Sequence, residues 1–96
     1  MVCRWGGDEF ILILPETALE EAKSKAEMLR RLIGEHKFPC VDGFLEEDKS
    51  VRASVSAGVA QLESGETDPQ ALFRKADEAL YKAKQCGKNR VEVYEP

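Results

Sequence analysis

Arg4-Trp5-Gly6-Gly7-Asp8-Glu9-Phe10-Ile11-Leu12-Ile13-Leu14 is the stretch on which the reading of this chain turns. Val2-Cys3-Arg4-Trp5 and Phe10-Ile11-Leu12-Ile13-Leu14 are β-prone runs. The two glycines between them can take the positive φ values of a tight turn, so the expectation is a β-hairpin. Its second run is continuously apolar, the pattern of a central strand covered on both faces, and Pro15 ends it. Asp8 and Glu9 are left at the turn. Taken by themselves, these residues fit a plain Gly-Gly hairpin carrying two solvated acids.

Outward from the hairpin, Thr17-Ala18-Leu19-Glu20 has the form of a capping box, with Thr17 at the N-cap and Glu20 three residues on. Leu19, Ala22, Ala26, Leu29 and Ile33 follow at helical spacing, and Gly34 weakens the last turn before Lys37. Pro39, Gly43 and the acidic run Glu46-Glu47-Asp48 mark Phe38 to Lys49 as an exposed loop or short-strand region. Val51, Ala53, Val55, Ala57 and Val59 alternate with Arg52, Ser54, Ser56, Gly58 and Ala60, which predicts a strand. Gly58 inside it points to a bulge or to a close approach by another backbone.

After a polar connector from Leu62 to Thr67, Asp68-Pro69 opens a second helix as N-cap and first helical residue. Leu72, Ala76, Ala79, Leu80 and Ala83 form its apolar stripe, and Gly87 caps its C-terminal end. Arg90-Val91-Glu92-Val93-Tyr94 is a last short strand. The order β-β-α-β-α-β predicts a single α+β domain over residues 1–96, a sandwich of a mixed, largely antiparallel sheet with helices. The chain begins inside a strand, where a domain boundary rarely falls, so an opening strand is expected to be missing.

Ninety-six residues make one domain; 43% apolar content can supply a core, and a net charge of −4 does not force disorder. No apolar stretch approaches the ~18–20 residues that span a bilayer, and no secretory leader pattern opens the chain. The acidic balance argues against a nucleic-acid-binding surface, so an anionic ligand would have to be held by local positive charge. Cys3, Cys40 and Cys86 are widely spaced, which suits three reduced, at least partly buried thiols of a cytoplasmic protein better than a disulfide framework or a zinc site. His36, the single histidine, reads as a solvated residue at a helix end.

Gly6-Gly7-Asp8-Glu9-Phe10 matches, letter for letter, the signature of the GGDEF family of diguanylate cyclases. Ser54-Val55-Ser56-Ala57-Gly58-Val59-Ala60 is similar to that family's Ser-x-Gly-Val-Ala strand. Ala76-Asp77-Glu78-Ala79-Leu80-Tyr81-Lys82-Ala83-Lys84, followed by Gly87-Lys88-Asn89-Arg90-Val91, resembles its closing helix and turn. The three matches fall in order and cover essentially the whole chain. The resemblance implies a nucleotide-cyclase-like, ferredoxin-like palm without its first strand and helices, the C-terminal part of a GGDEF domain. It implies a parent domain that condenses two GTP into cyclic dimeric GMP and releases pyrophosphate, each protomer of a homodimer presenting one GTP.

By that resemblance Asp8 and Glu9 are catalytic and bind Mg²⁺ or Mn²⁺, with Asp8 the more indispensable. Gly6 and Gly7 form the phosphate-side backbone, and Lys84 and Lys88 clamp the triphosphate. The chemistry suits these residue types. Glycines remove the Cβ atoms that would keep phosphate from the backbone, and a hard divalent cation takes carboxylate and phosphate oxygens together. Lys88 departs from the family's commoner arginine, losing bidentate geometry but keeping the charge. A solvated cationic helix end would account for both lysines without any ligand. Asp77 reads as an anchor of the helix and Tyr81 as packing. The family's first-strand aspartate, its guanine-reading residues and its Arg-x-x-Asp inhibitory motif have no counterpart here, so the chain alone is expected to be inactive. A non-catalytic guanine-nucleotide-binding module and a dimerisation module remain as alternatives, the intact acids counting against the first.

Overall fold

The computed structural model describes residues 2–4, 9–39 and 50–95. In chain order they form β1 (Val2–Arg4), β2 (Phe10–Leu12), α1 (Leu19–Glu35), β3 (Phe38–Pro39), β4 (Ser50–Val51), β5 (Ala57–Val59), α2 (Pro69–Gln85) and β6 (Val91–Val93). The class is α+β, as the sequence implies. The strands make three two-stranded sheets: β1–β2 and β3–β4 are antiparallel, and β5–β6 is parallel.

The parallel pair organises the packing. Parallel neighbours require a crossover, and α2 supplies it. Ala57 lies opposite Val91, Gly58 opposite Glu92 and Val59 opposite Val93. Ala57 N–H donates to Arg90 O at 2.9 Å and Tyr94 N–H donates to Val59 O at 2.8 Å, extending the ladder at both ends. Among the described residues the buried apolar side chains are Ala79 and Ala83, both on α2 and only 3% and 0% exposed. Small side chains let the helix settle close to the strands, and at Gly58 it leaves no room for a Cβ. A Cβ on Gly58 would run into the backbone of Ala76 and Leu80, 2.9 Å from Leu80 Cα. The close approach expected at this glycine is present, and α2 makes it. α1 packs on the same strand pair. Leu19, Ala22, Ala26 and Ile33 of its stripe are half-buried, while Leu29 is exposed.

The ends of α2 follow the sequence. Asp68 Oδ1 accepts from Gln70 N–H at 3.0 Å, with Pro69 in the first turn. At the other end Cys86 is the C-cap, its thiol free and exposed where partial burial was expected, Gly87 takes φ 118°, and Lys88 N–H donates to Ala83 O at 3.0 Å. That bond closes a Schellman end. The left-handed backbone continues through Lys88 (φ 62°) and Asn89 (φ 49°). Such a conformation costs a non-glycine residue about 1–2 kcal/mol, asparagine being among the more tolerant. Lys75 on α2 donates from Nζ to both carboxylate oxygens of Glu66 at 3.0 Å and lies 5.8 Å from the centre of the Tyr94 ring. The hydrogen bond with Lys75 holds the Glu66 carboxyl below its ordinary value, and the same bond raises the Lys75 ammonium.

Five expectations are corrected. The capping box of Thr17 and Glu20 does not form: α1 begins at Leu19, so the N-cap is Ala18, with no side-chain cap bond, and Thr17, one residue before it, donates from Oγ1 to Pro15 O at 3.0 Å. The long strand expected over residues 51–60 is two short ones in different sheets, Ser50–Val51 against β3 and Ala57–Val59 against β6. β2 ends at Leu12, opposite Val2, and is not covered on both faces; Phe10 is 62% and Leu12 50% exposed, since β1 and β2 pack on each other and on no other described element. Tyr81 is exposed at 62%, its hydroxyl accepting from Gln85 Nε2 at 2.8 Å, and Asp77 is exposed with no ion pair or hydrogen bond among the described residues. No helix among those residues is long and apolar enough to cross a membrane.

Candidate phosphate and metal site

Glu9 immediately precedes β2, and Lys84 lies in the last turn of α2, 75 residues later in the chain. The fold brings them together: Lys84 Nζ donates to Glu9 Oε1 at 3.4 Å. Their side chains keep 45% and 38% of their exposure, so an ion pair there contributes little stability and can be exchanged for a ligand. Lys88 follows Lys84 by one turn, on the left-handed segment beyond the helix. It is exposed and makes no hydrogen bond or ion pair from its side chain among the described residues. Gly6, Gly7 and Asp8 lie outside the described residues. Two of the six candidate residues are thus in contact, and a third stands on the same helix end.

The direction of α2 matters to the chemistry. A helix C-terminus presents carbonyl oxygens and the negative end of the dipole, which repel phosphate. Lys82 and Lys84 in the last turn are placed to offset that field, each also facing a carboxylate, Glu92 and Glu9. Phosphate at this end would depend on lysine ammonium groups, not on backbone N–H donors. For a divalent cation, no group of three His, Cys, Asp or Glu side chains gathers among the described residues. Mg²⁺ is usually held by one or two carboxylates, with phosphate oxygens and water completing the shell. Glu9, with Asp8 beside it in the chain, would offer carboxylates of that kind.

Residues 1–90 match the family profile described as "Diguanylate cyclase, GGDEF domain". The chain belongs to the GGDEF family. It is 41% identical over 91 residues to the diguanylate cyclase DgcM of Escherichia coli, covering 95% of this chain and 20% of that protein. Among solved structures, the active GGEEF domain of a diguanylate cyclase from Vibrio cholerae superposes with a TM-score of 0.78 at 36% identity, over 99% of this chain and 56% of that one. The GGDEF domain of DgcB from Caulobacter crescentus, solved in complex with c-di-GMP, superposes with a TM-score of 0.86 at 29% identity, over 99% of this chain and 52% of that one. The chain therefore spans about an eighth to a quarter of the length of the curated relatives it matches and about half of the two solved GGDEF domains.

Two parts of this GGDEF chain were not legible as site neighbours in the sequence. Arg30 on α1 donates to Asn89, and Asn89 N–H donates to Ser56 Oγ at 3.1 Å, so both are tied to the turn that carries Lys88. An asparagine after Gly-Lys at a helix end does hint at left-handed backbone. Nothing local in the sequence hints at Arg30.

Proposed function

We propose that this chain is the phosphate- and metal-handling part of a diguanylate cyclase, acting with GTP and a divalent cation in a cytoplasmic homodimer. One observation carries the reading: the Glu9–Lys84 contact joins the signature turn to the closing helix, so two family-matching segments 75 residues apart meet at one place. A catalytic acid and a phosphate clamp need that proximity.

Asp8 and Glu9 would hold Mg²⁺ or Mn²⁺, whose chemistry is to neutralise phosphate charge and lower the pKa of an attacking 3′-hydroxyl. Gly6 and Gly7 leave room for the triphosphate against the backbone. Lys84 turns from Glu9 toward phosphate when GTP arrives, exchanging one weak, exposed ion pair for a charge-assisted bond to a multiply charged ligand. Lys88 adds a second point charge along the triphosphate. With one GTP on each protomer, the 3′-oxygen of one nucleotide bonds to the α-phosphorus of the other. The bond from that phosphorus to the β-phosphate bridge breaks, the hydroxyl proton is released, and pyrophosphate leaves. The reciprocal step closes the ring.

The test is a product assay with GTP and Mg²⁺ on two samples, the 96-residue chain and a GGDEF domain of full family length built on it. Product from the longer domain and little or none from the chain alone is the expected pair of results. Bound GTP or c-di-GMP without turnover by the longer domain would assign a non-catalytic binding module instead, and neither binding nor turnover would leave dimerisation.

A further inference from the structure

Arg30 lies on α1, on neither the signature turn nor the closing helix. Two arms of its guanidinium, Nε and Nη2, donate to Glu27 Oε2 at 3.2 and 3.0 Å, one helical turn back. That fixes the plane of the fork. The third arm, Nη1, donates to Asn89 Oδ1 at 3.2 Å, 59 residues further along the chain. The Arg30 and Glu27 side chains are 23% and 31% exposed, more sheltered than the Lys25–Glu21 pair on the same helix. Asn89 is held a second time, by its own N–H to Ser56 Oγ at 3.1 Å. Both bonds grip a residue at φ 49° that follows Lys88 at φ 62°. Side-chain-bearing residues leave that region of backbone space unless something retains them there.

We infer that Arg30 is a positioning residue: through Asn89 it holds the left-handed turn that sets where Lys88 meets a triphosphate. This rests on the reading of Lys88 as a phosphate clamp. A lysine is a point charge on a flexible stem, so the place its ammonium can reach is decided by its backbone. The backbone here is one that neither Lys88 nor Asn89 would choose alone. Glu27 orients Arg30, Arg30 pins Asn89, and Asn89 keeps Lys88 on the phosphate side of the helix end.

Steady-state kinetics with GTP on the full-family-length domain tests this with Arg30→Gln, Asn89→Gly, Lys88→Ala and the double variant R30Q/K88A. Asn89→Gly removes the side chain while glycine accepts the same φ without strain, so it stands in if Arg30→Gln fails to fold. Arg30→Gln and Asn89→Gly should each raise KM for GTP about threefold or more, with kcat of Arg30→Gln within about twofold of the parent. The double variant should bind GTP no worse than Lys88→Ala alone, because the two residues act on one interaction. Multiplying effects in the double variant, or an unmoved KM in Arg30→Gln and Asn89→Gly, would overturn the inference. Amide hydrogen exchange provides a readout free of nucleotide. Arg30→Gln should speed exchange at Lys88 and Asn89 while the α1 and α2 amides keep their protection; unchanged exchange at those two sites contradicts it. If Lys88→Ala leaves KM at the parent value, the clamp reading fails, and the exchange result alone decides whether Arg30 positions the turn.

Discussion

Gly58 and Gly34 are the same residue in opposite situations, and each makes a prediction. At Gly58 a methyl group would meet the Ala76 and Leu80 backbone of α2, which cannot swing aside as a flexible side chain can. At Gly34, inside α1, a methyl group would meet nothing within 4 Å. Gly58→Ala should therefore destabilise by about 1–3 kcal/mol, the usual cost of overpacking. Gly34→Ala should stabilise by roughly 0.5–1 kcal/mol, because alanine loses less entropy in a helix. Urea melts of the two variants check both signs. The meaning of Gly58 was legible in the sequence, since a glycine inside an alternating strand pattern marks a bulge or a place where a side chain would not fit. That of Arg30 was not: its partner Asn89 is 59 residues away, and only the packing of α1 against β5 and β6 brings the two ends together.

At the scale of elements, the connector before α2 is pinned to that helix by Glu66 and Lys75. Glu66 titrates below its ordinary value of 4.5 chiefly because it accepts from Lys75, so its contribution is present above that pH and is lost as pH falls through the lowered value. Lys75 titrates above its ordinary 10.5, so its share is present below that pH and is lost as pH rises through the raised value. The melting temperature of the parent should exceed that of Glu66→Gln across the neutral range, and the gap should close in acid, below about pH 4.5. A gap that persists undiminished at pH 3 would remove the ion pair from the account.

Helix boundaries and caps were partly legible in the same way. Asp68-Pro69 and Gly87 act as their chemistry suggests, while Thr17 has no capping role because α1 starts one residue later than its spacing suggests, with Ala18 at the N-cap. A one-residue shift of a helix start leaves no trace in the spacing of its apolar stripe. The alternation from Val51 to Val59 misled for a different reason: period two describes a side-chain pattern, not which partner each half pairs with, and here the halves join different sheets.

Over the whole molecule, the β5–α2–β6 unit with α1 is the packed part, and the β1–β2 hairpin meets it through Glu9 and Lys84. Phe10, Leu12, Ile13 and Leu14 stay exposed along the hairpin, so that end of the chain carries apolar surface beside the candidate site. The family, the α+β class and the two segments that meet are legible in the sequence, because the signature, the strand and the closing helix each match in order. The central claim is that Asp8 and Glu9 do metal-assisted phosphoryl transfer. Its most direct test is the rate of cyclic dimeric GMP formation by the full-family-length domain and its Asp8→Asn variant, with a thermal melt of each. Asparagine keeps the size and removes the charge that would hold the ion. The expected result is a fall of at least about a hundredfold in rate with an unchanged melt, since a bound metal supplies several kcal/mol of transition-state stabilisation. An Asp8→Asn variant that turns over GTP at the parent rate would contradict the assignment.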